Sequence, residues 1–253
     1  MTQLSVNINK VALLRNSRGR DFPSVTTFAE RCLRLGAHGI TLHPRPDQRH
    51  ATYRDVEALY PLVVEEYGRE LNVEGYPQDE FMRVVGRVGP TQCTLVPDEP
   101  GQLTSDHGWD LVRHEAKLRG VIDELRQRGV RVSLFVDYDN PALELAAEYG
   151  ADRIELYTEP YADTFGTAAN AAILEGFRRA AEMAQAAGLG VNAGHDLNLE
   201  NLRTFLGIPG ILEVSIGHAL TVECLEHGIE YVIGEYLKIV DERRAASPVI
   251  SQE

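Results

Sequence analysis

Eight short β-rich runs, each followed by a helical pattern, constrain this chain more than any other feature of its sequence. They read LSVNI (4–8), GITLH (39–43), LNVEG (71–75), CTLV (93–96), VRVSLFVD (130–137), RIELYT (153–158), LGVNAG (189–194) and LEVSIG (212–217). Helical periodicity is clearest over 111–128, 140–149, 169–187 and 219–239. In RLGAHGI, RQRGVRV, EYGADRI and AAGLGVN the helical segment ends at a glycine that introduces the next strand, which is a helix C-cap followed by a short turn. Repeated βα units without an antiparallel hairpin signal predict a parallel α/β fold: a single (β/α)8 TIM barrel with extra helices, with a doubly wound sheet as the competing solution. Length fits the barrel, since 253 residues that are 43% hydrophobic bury one large core, and such barrels take roughly 250 residues. No low-complexity linker divides the chain, so residues 1–253 are expected to form one domain, the last ten or so a loose tail.

Charge narrows the partners. A net charge of -13 repels phosphate backbones and anionic membranes, so no nucleic-acid or membrane partner is expected, and a phosphorylated ligand needs a local cationic pocket. Cys32, Cys93 and Cys224 are widely spaced, odd in number and without a CxxC. That pattern indicates neither a disulfide framework nor a zinc knuckle, and it fits a reducing, cytoplasmic compartment. No signal peptide or apolar run of membrane-spanning length is seen.

In a barrel the βα loops at the strand C-termini form the active site. The strand exits here carry Asn7 and Asn9, His43, Glu74, Asp137, Glu155, His195 and Gly217-His218, with Thr104 in the fourth loop. Ionisable groups recurring at strand exits suit a site that moves several protons. The second exit, GITLHPRPDQRH, delivers His43, Arg45, Arg49 and His50 within a stretch stiffened by two prolines, as expected of a loop held in place for an anionic ligand. The eighth exit, SIGHAL, opens a helix at Gly217-His218, where free N–H groups commonly hold phosphate.

The stretches SVNINKVALLRNSRG, HGITLHPRPDQRH, NVEGYP, LVPDEPGQLTSDHGWDL, VNAGHDLNLENL and SIGHAL, in this order from Ser5 to Leu220, resemble the pyridoxine 5'-phosphate synthase family of vitamin B6 biosynthesis. The resemblance implies a (β/α)8 barrel that joins 1-deoxy-D-xylulose 5-phosphate to 3-amino-2-oxopropyl phosphate, releasing inorganic phosphate and water. It implies no metal and no organic cofactor. By the same resemblance His43 and Glu74 are proton acceptors and His195 a proton donor. Arg45, His50 and Thr104 then bind the pentulose phosphate, while Asn7, Arg18, Gly217 and His218 hold the amino-ketone phosphate. Arg18 is implied to reach in from a neighbouring subunit of a homo-oligomer, an octamer built as a tetramer of dimers.

Two departures from the family pattern bear on the site. Asn9 and Lys10 stand where many members have Asp-His, and Asp196 where they have glycine. Asn9 still hydrogen-bonds a substrate hydroxyl but cannot accept a proton as a carboxylate, and Lys10 supplies a donor for phosphate or hydroxyl. Asp196 beside a substrate phosphate repels it unless it turns outward to cap the helix beginning in LNLENL. Residues 96–108 are long enough to form a lid over reactive imine intermediates. Two rival functions remain at this level. One is a divalent-metal sugar isomerase or endonuclease barrel with His43, Glu74, Glu155, His195 and His218 as ligands. The other is a non-catalytic phosphate-binding barrel.

Overall fold

The computed structural model describes residues 2–98 and 105–246, the side chains of 243–246 excepted. Thr104 and the expected tail after residue 246 lie outside the described residues, as does the middle of the expected lid. Eight strands form: β1 Gln3–Asn7, β2 Gly39–Leu42, β3 Glu70–Gly75, β4 Gln92–Leu95, β5 Arg131–Val136, β6 Arg153–Tyr157, β7 Gly190–Gly194 and β8 Ile211–Ile216. Every neighbouring pair is parallel, and β8 returns to β1 with Val6 opposite Ile216, closing the barrel and excluding the doubly wound alternative.

Alternation along the strands puts the apolar core outside the barrel wall. Leu4, Val6, Ile40, Leu42, Leu71, Val73, Val132, Leu134, Ile154 and Leu156 are all fully buried within the main apolar cluster, which includes the residues of the surrounding helices. The intervening positions fill the lumen with polar groups: Ser5, Thr41, Asn72, Thr94, Ser133, Glu155, Asn192 and Ser215 are buried. They bond to one another, Ser5 Oγ with Thr41 Oγ1 at 2.7 Å and Thr94 Oγ1 to Asn72 Oδ1 at 3.0 Å. Barrels of this type usually fill their interior with branched aliphatic layers; here polar side chains lead from the bottom to the mouth.

The four glycines expected to end helices do so. Gly36, Gly129, Gly150 and Gly188 have φ of 109°, 76°, 91° and 85°, the left-handed region where a β-carbon is costly. Each donates its N–H back three residues and the next residue donates back five, as Gly36 to Leu33 and Ala37 to Cys32, which satisfies carbonyls left over at the helix end.

Two expected helices are corrected. Over 140–149 only Leu145–Glu148 is α-helical, because Asn140 Oδ1 accepts the Ala142 N–H at 3.0 Å in a turn that contains Pro141. The segment 219–239 is two helices, His218–His227 and Ile229–Ala246, separated at Gly228 with φ 86°. Among the described residues, no helix is long and apolar enough to cross a membrane.

Candidate active site

A cavity of about 550 Å³ opens at the C-terminal mouth of the barrel. It gathers residues from seven strand exits: Asn7, Asn9 and Lys10 at β1, His43, Arg45, Arg49 and His50 after β2, Glu74 on β3, Ser105 after β4, Glu155 and Tyr157 on β6, His195 and Asp196 after β7, and Ser215, Gly217 and His218 at β8. Eleven of the thirteen residues singled out from sequence therefore line one cavity. Arg18 does not: it is exposed in the turn beyond the helix Asn9–Asn16. Thr104 is the other, outside the described residues.

The short elements set the geometry. β1 ends in an Asx turn in which Asn7 Oδ1 accepts the Asn9 N–H at 3.0 Å, leaving Asn7 Nδ2 to reach Glu74 Oε2 at 3.4 Å. Asn9 Oδ1 accepts the backbone N–H of His43 at 2.8 Å, so the carboxamide oxygen fixes the β2 exit rather than facing the cavity. Gly217 is close-packed on Asn7, its missing β-carbon lying 3.1 Å from Asn7 Cβ, and Gly194 leaves the space that Glu155 uses, where a β-carbon would meet Oε1 at 2.1 Å.

His43 is buried with Nε2 facing no partner, and its Nδ1 lies 4.0 Å from Asp98 Oδ2. Burial first, then Arg45, His50, His195 and Arg49, hold its pKa well below the usual imidazole value, so it is neutral and able to accept a proton. The Ala51 N–H donates to His50 Nδ1 at 2.9 Å. That bond leaves the proton of neutral His50 on Nε2. Burial, Arg45 and Arg49 push the His50 pKa down to about 4, which makes it a neutral donor rather than a cation near pH 7. Arg45 pairs with the fully buried Asp98, which also accepts from Ser105 Oγ at 2.6 Å.

Glu74 on β3 and Glu155 on β6 are buried carboxyls that both line the cavity. Burial, then Glu155 and Asp98, push Glu74 well above the ordinary carboxylate range, and burial pushes Glu155 up to about 7. Thr94 Oγ1 donates to Glu155 at 3.4 Å. His195 takes a left-handed φ of 75° and packs against Phe135 and Tyr157 with ring centroids 5.7 Å and 5.3 Å away. Burial lowers its pKa against the opposing pull of Asp196, Asp98 and Glu159.

Asp196 joins the other candidate residues and does not cap the following helix. It lines the cavity, and the turn before helix Leu202–Phe205 is capped instead by Asn198 Oδ1, which accepts the N–H groups of Glu200 and Asn201 at 2.9 Å. Sequence reasoning left Glu155 outside the site set, although RIELY carries the same signal as NVEG, one carboxyl inside an apolar strand. Asp98, Tyr157 and Glu159 had no comparable signal, because their place depends on which loops meet. The metal rival required its five side chains to converge as ligands. Among the described residues no group of three His, Cys, Asp or Glu side chains is arranged to hold a metal ion.

Residues 4–242 match the family described as pyridoxal phosphate biosynthesis protein PdxJ. The chain is 51% identical over 237 residues to pyridoxine 5'-phosphate synthase of Parabacteroides distasonis, covering 93% of this chain and 98% of that protein. It is 48% identical over 240 residues to the enzyme of the same name from Chelativorans sp., covering 93% and 97%. Among solved structures it resembles 3-keto-L-gulonate-6-phosphate decarboxylase from Vibrio cholerae, with a TM-score of 0.64 at 10% identity over 95% of this chain and 98% of the other. It also resembles thiamine phosphate pyrophosphorylase from Pyrococcus furiosus, with a TM-score of 0.63 at 18% identity over 95% and 96%. These two likenesses speak for the barrel alone.

Proposed function

Since the chain belongs to the pyridoxal phosphate biosynthesis family PdxJ, we infer that its cavity condenses 3-amino-2-oxopropyl phosphate with 1-deoxy-D-xylulose 5-phosphate to give pyridoxine 5'-phosphate, inorganic phosphate and water. The observation that carries this reading is one cavity shared by two imidazoles and two carboxyls with displaced pKa values, flanked by Arg45, His50 and Lys10.

The reaction needs an amine to condense with a ketone, water and phosphate to leave, and a carbon–carbon bond to close the ring. Every step moves a proton. A neutral His43 with an open Nε2 is the first acceptor. Glu74 holds its proton in the empty site; the arriving ammonium group favours the carboxylate and converts it to the second acceptor. His195 starts neutral, but a substrate phosphate nearby raises imidazole basicity, so His195 gains the proton it later donates. Glu155, facing Glu74, takes or returns a proton near neutrality.

Two anionic ends require two grips. Arg45, His50 and Thr104 take the pentulose phosphate, the guanidinium by forked N–H donors and His50 by Nε2–H. Asn7, Gly217 and His218 take the amino-ketone phosphate at the start of helix His218–His227. Lys10 offsets the charge that Asp196 adds on that side. The protein is a homo-oligomer, an octamer by family resemblance, in a cytoplasmic compartment, and Arg18 completes a neighbour's site. Its exposed position and the exposed apolar side chains Leu13, Leu14 and Phe22 on the same segment support that reading.

Product formation from the two purified phosphates, without added metal or nucleotide, tests the activity. Loss with chelator and return with a divalent ion would overturn the metal-free reading. Mixed Arg18→Ala and His195→Ala subunits should regain activity after exchange; verified exchange with no regain would confine Arg18 to its own subunit.

A further inference from the structure

The loop that carries Arg45, Arg49 and His50 has only turn and bend geometry, with Gln48 at a left-handed φ of 49°. Inside the loop the Gln48 N–H donates to the Arg45 carbonyl, the Arg49 N–H donates to Asp47 Oδ1 at 3.2 Å and Gln48 Oε1 accepts from the Tyr53 N–H at 3.3 Å, bonds that shape turns rather than a ladder. Helix Asn9–Asn16 adds a constraint from outside the loop. At its start Asn9 Oδ1 accepts from the His43 N–H at 2.8 Å, just before the loop. At its end Asn16 Nδ2 donates to the carbonyls of Arg49 and His50 at 3.0 and 2.8 Å, where the loop finishes. Arg15 adds a fork onto Asp55, Nη1 to Oδ1 at 2.5 Å and Nη2 to Oδ2 at 2.9 Å, with Nη2 also 3.4 Å from the His50 carbonyl. Asp55 in turn accepts from the Thr52 N–H at 2.7 Å and closes the capping box of helix Tyr53–Tyr60.

We propose that Arg15 and Asn16 are positioning residues for the pentulose phosphate: helix Asn9–Asn16 is the template against which the β2 exit loop is stapled at both ends, so that Arg45 and His50 meet the phosphate preformed. This rests on the assignment of Arg45 and His50 to that substrate. Neither Arg15 nor Asn16 lines the cavity, so both act through the loop. The imidazole of His50 follows its backbone closely, because its Nδ1 is tied to the next residue's N–H. Freeing the Arg49 and His50 carbonyls lets the loop spread over several shapes, and phosphate binding must then order it at a cost in affinity. Of the groups assigned to the amino-ketone phosphate, Asn7, Gly217 and His218 sit on other strand exits and do not share that cost.

Asn16→Ala removes both carbonyl contacts, and Arg15→Lys keeps a cation opposite Asp55 while removing the fork that reaches His50. Equilibrium binding of each phosphate substrate alone, with kcat at saturation, reads the effect. For both variants 1-deoxy-D-xylulose 5-phosphate should bind about tenfold more weakly, the loss of one or two hydrogen bonds, with the amino-ketone phosphate and kcat close to the parent's. Unchanged pentulose affinity, or an equal loss for both substrates, overturns the proposal. Arg45→Ala run alongside separates the two failures. If it weakens pentulose binding and Asn16→Ala does not, the template idea alone is wrong. If Arg45→Ala spares pentulose binding, the assignment of the loop to that substrate is wrong and the proposal falls with it.

Discussion

The two ends of the barrel lumen are both buried and both polar, yet only one of them is built to react. At the bottom, Arg131 pairs with Glu70, and Arg153 lies 3.5 Å from Glu213 and donates to Asn192 Oδ1 at 3.0 Å, while Arg131 Nε donates to Gln92 at 2.9 Å. Two guanidiniums answer two carboxyls. Burial pushes the Glu70 carboxyl up, but hydrogen bonds from Glu213 and Arg131 outweigh it and hold Glu70 below its usual range; burial and Glu70 push Glu213 well above. The pair shares one proton and stays put. At the mouth, Glu74 faces the carboxyls of Glu155 and Asp98, and His43 faces cations, so neighbours add to burial instead of opposing it. Buried polarity alone does not mark a site. Like charges gathered around open volume do, because each group there holds a protonation state that a charged substrate can reverse.

The largest test of this contrast is turnover. His43→Ala or Glu74→Gln should lower kcat by roughly 10²- to 10⁴-fold, what a lost acid/base group is worth, whereas Glu213→Gln should leave kcat near the parent's in the same product assay. A comparable loss at Glu213 would mean the bottom takes part in the proton traffic. Next in size is stability. Arg131→Ala leaves Glu70 buried without its cation and should cost about 4 kcal/mol in urea unfolding, while the corresponding change at the mouth, Glu74→Gln, should cost little or stabilise; the reverse order would show that the mouth is the compensated end.

The smallest effect is a pH dependence. Glu155 has a folded value of about 7 against an ordinary 4.5. Its neutral form is the one the fold favours, so its contribution is present in full below about pH 4.5 and lost as pH rises through 7. Glu155→Gln should match the parent's melting near pH 4.5 and exceed it above pH 8, by up to about 3 kcal/mol. An identical pH profile for the two proteins would place Glu155 in a wetter, better compensated site. The histidines work in the opposite sense. The neutral His50 contributes above about pH 6.5, and that contribution is lost as pH falls toward 4.

Much of this was legible along the chain, for local reasons. The βα alternation and the glycines at 36, 129, 150 and 188 specify strands, helix ends and hence a parallel barrel, because a left-handed C-cap is a property of a few consecutive residues. His43, Glu74 and His195 were legible as polar groups at strand exits, and the sequence motifs around them carry the family. Asn140-Pro141 and Gly228 also held their signals locally, but helical periodicity spoke over them, so 140–149 and 219–239 read as unbroken helices. Tertiary structure alone decided the rest. That Asn9 serves the His43 backbone, that Asp98 takes Arg45, that Asp196 faces the cavity and that Glu155 raises the pKa of Glu74 are facts about groups from different βα units. Propensity and periodicity act over a few residues, whereas charge interaction, desolvation and the shape of a cavity depend on which distant segments the closed barrel brings within a few ångströms of one another.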